Sequence, residues 1–285
     1  MFVSRRIFTL SALGMVCTIA HAAPAGPLLT ILDRDAFLLR DDARLALAEG
    51  VALRPDDILE VPAQGKLARL EYADGLSLAL GPGSRALLAP RLKGDRGGAR
   101  TYLLAGWVKL SAPKGVAASV LSPALDVATT GGTIVLAVRP EAAQVFAENG
   151  EAAVRRPGNA GAVQVVKTGE LLGLAATAGA QPELANRPTQ AFVSTLPRAF
   201  MDALPPRAAR FQGKEVEPQK IGPLSYADAQ PWLDAESVAL RRANLPRWRP
   251  LLRDAEFRRG LAAGLKAHPE WDPILNPPPP KPAYR

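Results

Sequence analysis

Side chains that run acid–base, nucleophilic or thiolate chemistry are scarce in this chain of 285 residues, which holds two histidines, His21 and His268, and one cysteine, Cys17. General acid–base and nucleophilic sites need a titratable group matched to the working pH, most often His or Cys. Cys17 and His21 lie in an N-terminal segment expected to be removed, so the working chain keeps only His268. That residue stands beside Pro269 at the expected end of a helix, where an imidazole favours the helix dipole rather than catalysis. Disulfides, thiolate zinc sites and cysteine nucleophiles are thereby excluded. Carboxylates remain as Asp41-Asp42, Asp56-Asp57 and the Glu148/Glu151 pair, all at expected turns, where acids are ordinary. A carboxylate-based glycan hydrolase would need two of them across a cleft. No phosphate loop, metal-ligand spacing or dinucleotide fingerprint is present. The expectation is a protein that is not an enzyme and uses no cofactor or metal.

The chain opens Met1-Phe2-Val3-Ser4-Arg5-Arg6, then runs apolar from Ile7 to Ala20 and ends this stretch in Ala20-His21-Ala22. A basic start, an apolar run and an A-x-A ending make a secretory signal peptide over 1–22, cut between Ala22 and Ala23. The run is shorter than the ~20 apolar residues a membrane span needs, so no stable transmembrane anchor is expected after cleavage. Ser4 to Leu10 resembles a twin-arginine export address carried by Arg5 and Arg6, the alternative being an ordinary secretory signal with two arginines. Either route implies a periplasmic or secreted protein.

Charge divides the rest of the chain. Residues 23–185 carry 17 Lys+Arg against 17 Asp+Glu, whereas 186–285 carry 16 against 10. The second stretch also holds Trp232, Trp248 and Trp271 and 16 of the 27 prolines. The expected division is a β domain over 23–176, a linker over 177–192, a helical, basic, Trp-bearing region over 193–275 and a disordered Pro-rich tail over 276–285.

In the first part, short apolar or alternating runs are broken by Gly, Pro and Asp. Leu67 to Tyr72 and Leu76 to Leu80 alternate on either side of Asp74-Gly75, the strongest short-range hairpin signal. Tyr102 to Leu110 reads as two short strands around Gly106. Thr133–Val138 and Ala143–Phe146 read as strands, Glu148 to Glu151 as a hairpin turn at Gly150, and Val163–Val166 as a late strand. Strands at such intervals without helices between them predict an antiparallel sandwich or roll. The order of turns, from Asp57 through Asp74-Gly75, Leu104 to Val108 around Gly106, Gly132-Thr133 and Asn149-Gly150 to Thr168-Gly169-Glu170, resembles the FecR domain across about residues 45–175. Leu76 stands where that family usually has Ser, and Val135 where an aromatic is common. The resemblance implies a periplasmic β module that senses or binds, without the cytoplasmic sigma-regulator segment that often accompanies it.

The second part changes period. Phe200, Ala203 and Leu204 follow helical spacing after Leu196-Pro197, Ser225 and Asp228 form a capping-box pattern, and Phe257, Leu261 and Leu265 recur every four residues from Asp254 to His268. Two readings compete for the basic cluster. Arg247, Trp248, Arg249, Arg253, Arg258 and Arg259 would bind anionic envelope polymer or lipid head groups, or the arginines are a solvated face and the tryptophans fill a core. An exported protein is not expected to bind nucleic acid. The leading expectation is a mainly β, non-catalytic binding or scaffold protein that contacts an envelope protein or anionic cell-wall polymer. The alternatives are an accessory in envelope-to-regulator signalling and the glycan hydrolase above.

Overall fold

The computed structural model describes residues 26–158 and 163–277. The expected signal, with Arg5, Arg6, Ala20, Ala22 and Ala23, and the tail from residue 278 lie outside the described residues. The fold is mainly β with a smaller C-terminal helical part. In chain order the strands are β1 (Leu28–Asp33), β2 (Phe37–Arg40), β3 (Ala43–Ala46), β4 (Ile58–Val61), β5 (Leu67–Glu71), β6 (Ser77–Leu80), β7 (Ser84–Leu88) and β8 (Thr101–Ala112). They continue with β9 (Ala118–Leu121), β10 (Asp126–Thr129), β11 (Gly132–Val138), β12 (Ala142–Arg155), β13 (Gln164–Lys167), β14 (Leu171–Ala175), β15 (Glu183–Ala185) and β16 (Gln219–Pro223). The helices are α1 (Gln190–Thr195), α2 (Tyr226–Leu233), α3 (Val238–Trp248), α4 (Ala255–Ala263) and α5 (Asp272–Leu275).

Two sheets face each other and share two long strands. The first runs β1-β5-β6-β8-β11-β12-β14-β15. The second runs β16-β3-β2-β4-β7-β8-β9-β10-β12-β13, all antiparallel but for a short β8–β9 contact. Gly106 marks where β8 passes from β7 in the second sheet to β6 and β11 in the first. Gly150 does the same in β12, whose later residues pair with β10 and β13. Both take positive φ, +92° and +81°, which bends the strand without a Cβ penalty. This corrects two expectations. Tyr102–Leu110 is part of one bent strand, and Gly150 is a bend within β12, since the reversal into that strand comes at Pro140–Glu141 instead.

Alternation along the strands explains why both faces of each sheet are buried. Leu38, Leu59, Ala86 and Leu103 point between the sheets, into a core with Leu70, Leu110, Leu136 and Val145. Their neighbours Leu39, Ile58, Leu87 and Tyr102 point outward from the second sheet and meet Trp232, Leu240, Trp248, Phe257 and Trp271. Trp107 and Val135 point outward from the first sheet against Phe192 and Phe200. Helical segments thus cover both outer faces. The expected linker 177–192 carries β15, paired to β14, and the start of α1, while the expected helical region supplies β16, paired to β3. The expected helix after Leu196-Pro197 lies earlier instead, as α1 capped by Thr189, and only a short 3-10 turn follows at Arg198–Phe200.

The helical layer is fastened by side chains as well as by its tryptophans. Ser225 and Asp228 complete the expected capping box, and Asp228 also meets Arg44 of β3 at 2.6 Å. Asp254 caps α4, which ends at Ala263 rather than at His268. His268 is fully buried, with Nδ1 3.0 Å from Asp234 at the end of α2 and Nε2 3.1 Å from the Leu261 carbonyl of α4. It therefore joins two helices; it reaches the Leu261 carbonyl from beyond the end of α4, whose C-cap is Gly264, rather than capping a helix that ends at His268. Arg241 holds Glu270 with two hydrogen bonds of 3.1 and 2.7 Å, tying the C-terminal turn to α3. Those bonds hold the Glu270 carboxyl below its ordinary value of 4.5. A depressed carboxylate contributes stability that is complete above its unfolded value and lost as pH falls through the folded one. Wild type is therefore expected to lose stability below about pH 4.5, more steeply than Glu270→Gln. Parallel pH profiles for the two proteins would count against it.

A second fastening involves Glu71 of β5, which is 7% exposed. Its carboxylate accepts from the Arg207 and Ala208 amides at 2.9–3.0 Å and from the Thr30 hydroxyl at 2.9 Å. Removing it leaves the Arg207 and Ala208 amides unpaired and takes the carboxylate from Arg69, 3.5 Å away, and Glu71→Ala is expected to cost about 2–3 kcal/mol. The Arg207–Ala208 bond should become an early trypsin cut. A digest identical to wild type would contradict this.

Candidate functional site

A cleft of about 570 Å³ opens where the helical layer meets the second sheet. One wall is the β2–β3 turn with Asp41 and Asp42 and the loop Arg54–Asp57 that leads into β4. The other is α3 and the turn after it, with Asn244, Arg247 and Leu251, and Arg91 closes one side.

The floor is rigid for identifiable reasons. Asp57, 2% exposed, accepts from Arg40 Nε at 2.9 Å, Arg40 Nη2 at 2.6 Å and the Arg54 amide at 2.7 Å. The Asp56 amide and Asp57 carbonyl bond to Leu88 of β7, and Asp56 pairs with Arg91. Asp41 and Asp56 take left-handed φ of +55° and +68°, a conformation Asp tolerates better than most residues. Donating to the Asp57 carboxylate holds the Arg40 guanidinium above its ordinary value. Asp57, expected only as a turn residue, is thus the bracket of the cleft.

Four arginines and four aspartates line the cleft. Arg40–Asp57 and Arg91–Asp56 satisfy each other, which leaves Arg54 and Arg247 without a carboxylate and Asp41 and Asp42 without a cation among the described residues. Arg247 lies 5.3 Å over the Trp248 ring, and its one polar contact is a long 3.5 Å approach to the Leu39 carbonyl. Burial pushes its guanidinium below the usual arginine value, outweighing Asp56 and Asp57 nearby. Asn244 is 5% exposed, and its Nδ2 meets no acceptor. Of the five buried side-chain nitrogens without a partner among the described residues, Asn244 Nδ2 alone belongs to the cleft wall.

The basic cluster expected at one surface is divided. Arg249, Arg253, Arg258 and Arg259 are exposed, Arg247 lines the cleft, and Trp248 is 1% exposed in the core. The interfacial role for Trp248 is therefore corrected to packing under the helical layer. Asp74-Gly75 forms the β5–β6 turn, Gly132-Thr133 opens β11, and Gly169 turns β13 into β14. These positions shape the sandwich and lie apart from the cleft. Of the expected acid positions, Asp41-Asp42 and Asp56-Asp57 come together at the cleft, whereas Glu148 pairs with Lys109 at 2.7 Å away from it.

Arg40, Arg54, Arg91 and Asn244 were not singled out by the sequence. A usable signal existed for Asn244: Leu240, Asn244 and Trp248 fall every fourth residue after the N-cap Ser237, placing an amide on the apolar face of α3.

No protein-family model matches the chain, and no curated protein matches it. Among solved structures, the chain is similar to two crystal structures of a protein from Parabacteroides distasonis provisionally described as an anti-sigma factor. Identity is 17% and 16%, each match has a TM-score of 0.38, and each covers 47% of this chain. The chain spans 61% of the length of those structures.

Proposed function

We propose that the chain is an exported, non-catalytic binding module of the FecR type, and that it engages a cell-envelope partner at the cleft between its second sheet and its helical layer. One observation carries this reading: a cleft braced by the Arg40–Asp57 and Arg91–Asp56 pairs holds at its wall Asn244, whose Nδ2 meets no acceptor, and Arg247, which has no carboxylate partner, among the described residues. Buried polar groups are ordinarily satisfied, so an unsatisfied one at a concave surface marks a candidate ligand contact. The FecR-type order of turns and the N-terminal signal support the family and the export. The exposed Arg249 and Arg253 lie in the turn that follows the cleft-forming helix, and Arg258 and Arg259 lie on α4; together they would add affinity for an anionic polymer. Site-directed photo-crosslinking in intact cells tests the reading. A crosslinker at Ala243, on the cleft wall, is expected to capture one partner that a crosslinker at exposed Lys167 does not. Equal capture at both positions, or none at Ala243, would overturn it.

A further inference from the structure

The binding-module reading leaves the chemistry of the ligand open, and the charges of the cleft narrow it. We propose that the cleft takes a small zwitterion of the amino-acid or short-peptide type, with its carboxylate on Arg247 and Asn244 and its ammonium toward Asp41 and Asp42.

Arg247 and Asn244 are three residues apart on α3, so they share one helix face and line the same cleft. A guanidinium held against an aromatic ring and lacking a carboxylate presents a planar fork of donors suited to a carboxylate. The Asn244 amide adds a donor from the neighbouring position, since a half-turn of its side chain exchanges Nδ2 and Oδ1. Arg40 cannot serve, because Asp57 and the Ala52 carbonyl already occupy it.

A simple anion fits the same donors badly. Asp56, Asp57 and Asp41 all act on Arg247, and Asp41 and Asp42 carry no cation of their own. An anion entering the cleft would meet that acidic turn, whereas a ligand that also bears an ammonium satisfies it. The left-handed backbone at Asp41 shapes the exposed β2–β3 turn that carries both acids at the cleft. A cleft of about 570 Å³ has the size of a small-molecule site.

Calorimetry on the purified protein, with alanyl-alanine, its C-terminal amide, its N-acetyl form and inorganic phosphate as probes, tests this. Alanyl-alanine is expected to bind saturably, the amide at least tenfold more weakly and the N-acetyl form several-fold more weakly. Phosphate should bind more weakly than the dipeptide. Arg247→Gln and Asn244→Asp should each weaken the dipeptide at least tenfold. Asp41→Asn with Asp42→Asn, at an exposed turn where Asn accepts positive φ, should reproduce the N-acetyl loss with an unchanged circular dichroism spectrum. No saturable binding of alanyl-alanine, equal binding of its amide, or tighter binding of phosphate would overturn the proposal. Crosslinking from Ala243 that persists without dipeptide binding would end the ligand class alone. Dipeptide binding without any crosslink would end the envelope-partner reading alone.

Discussion

Gly106→Val is expected to abolish the cooperative fold. Gly106 sits at φ +92°, a region that a β-branched residue occupies only under strain. A Cβ there would lie 2.4 Å from Ser84 Cα and 2.6 Å from its N and Oγ, which are chiefly backbone of β7 and cannot swing aside. Ser84 cannot shift cheaply. Its hydroxyl donates to the Trp107 carbonyl at 2.8 Å and accepts from the Trp107 amide at 2.9 Å, clamping β7 to β8 at the bend. The left-handed backbone costs about 1–2 kcal/mol, overpacking about 1–3 and the lost hydrogen bonds about 1–2. The total of roughly 3–7 kcal/mol is comparable with the whole stability of a typical domain, about 5–15. Urea unfolding followed by circular dichroism checks it. A wild-type midpoint for Gly106→Val would mean that β8 does not bend at this position.

Asp57→Ala carries the second large effect, at the cleft itself. The carboxylate accepts two bonds from Arg40 and one from the Arg54 amide, and the Arg40 and Asp57 side chains are only 10% and 3% exposed. Removing one partner leaves a buried guanidinium without its counter-charge, a change worth about 3–5 kcal/mol. For a chain of this size that corresponds to a melting temperature lower by about 6–20 °C. Replacing both partners with apolar residues, as in Arg40→Met with Asp57→Leu, removes the orphaned charge and should be milder than Asp57→Ala alone. A double variant as unstable as the sum of its parts would show that the pair is not coupled. Asp57→Ala should also free the Arg54 loop, so ligand binding is expected to fall beyond the loss in stability.

What could be read from the sequence was local. Asp74-Gly75 between alternating runs is a hairpin because turn chemistry lies within a few residues, and the β5–β6 pairing follows it. Asp254 and Ser225 cap helices for the same reason. Gly106 and Gly150 were legible as interruptions, but a chain that reverses and a strand that bends leave the same mark. The difference lies in distant partners, Ser84 for Gly106 and the change of neighbours from β11 to β13 around Gly150. β16 has no alternating apolar pattern and exists because β3 offers it an edge. α3 was missed because Pro246 and the arginines blur its period. The cleft joins Arg40 and Asp57 to Asn244 and Arg247, about two hundred residues further along the chain, which no motif spacing encodes.

The cleft exists only between the helical layer and the second sheet, so binding there requires the layer to be fixed to that sheet. Trp107→Phe leaves Trp232, Trp248 and Trp271, all in that layer, as the remaining tryptophans. Their fluorescence then reports the layer, while the strand component of the far-ultraviolet circular dichroism spectrum reports the sheets. One urea titration read by both signals decides the matter. A single transition with superimposed midpoints is expected. A fluorescence change that is complete while the sheet signal is still native would show that the layer undocks by itself, and would contradict it.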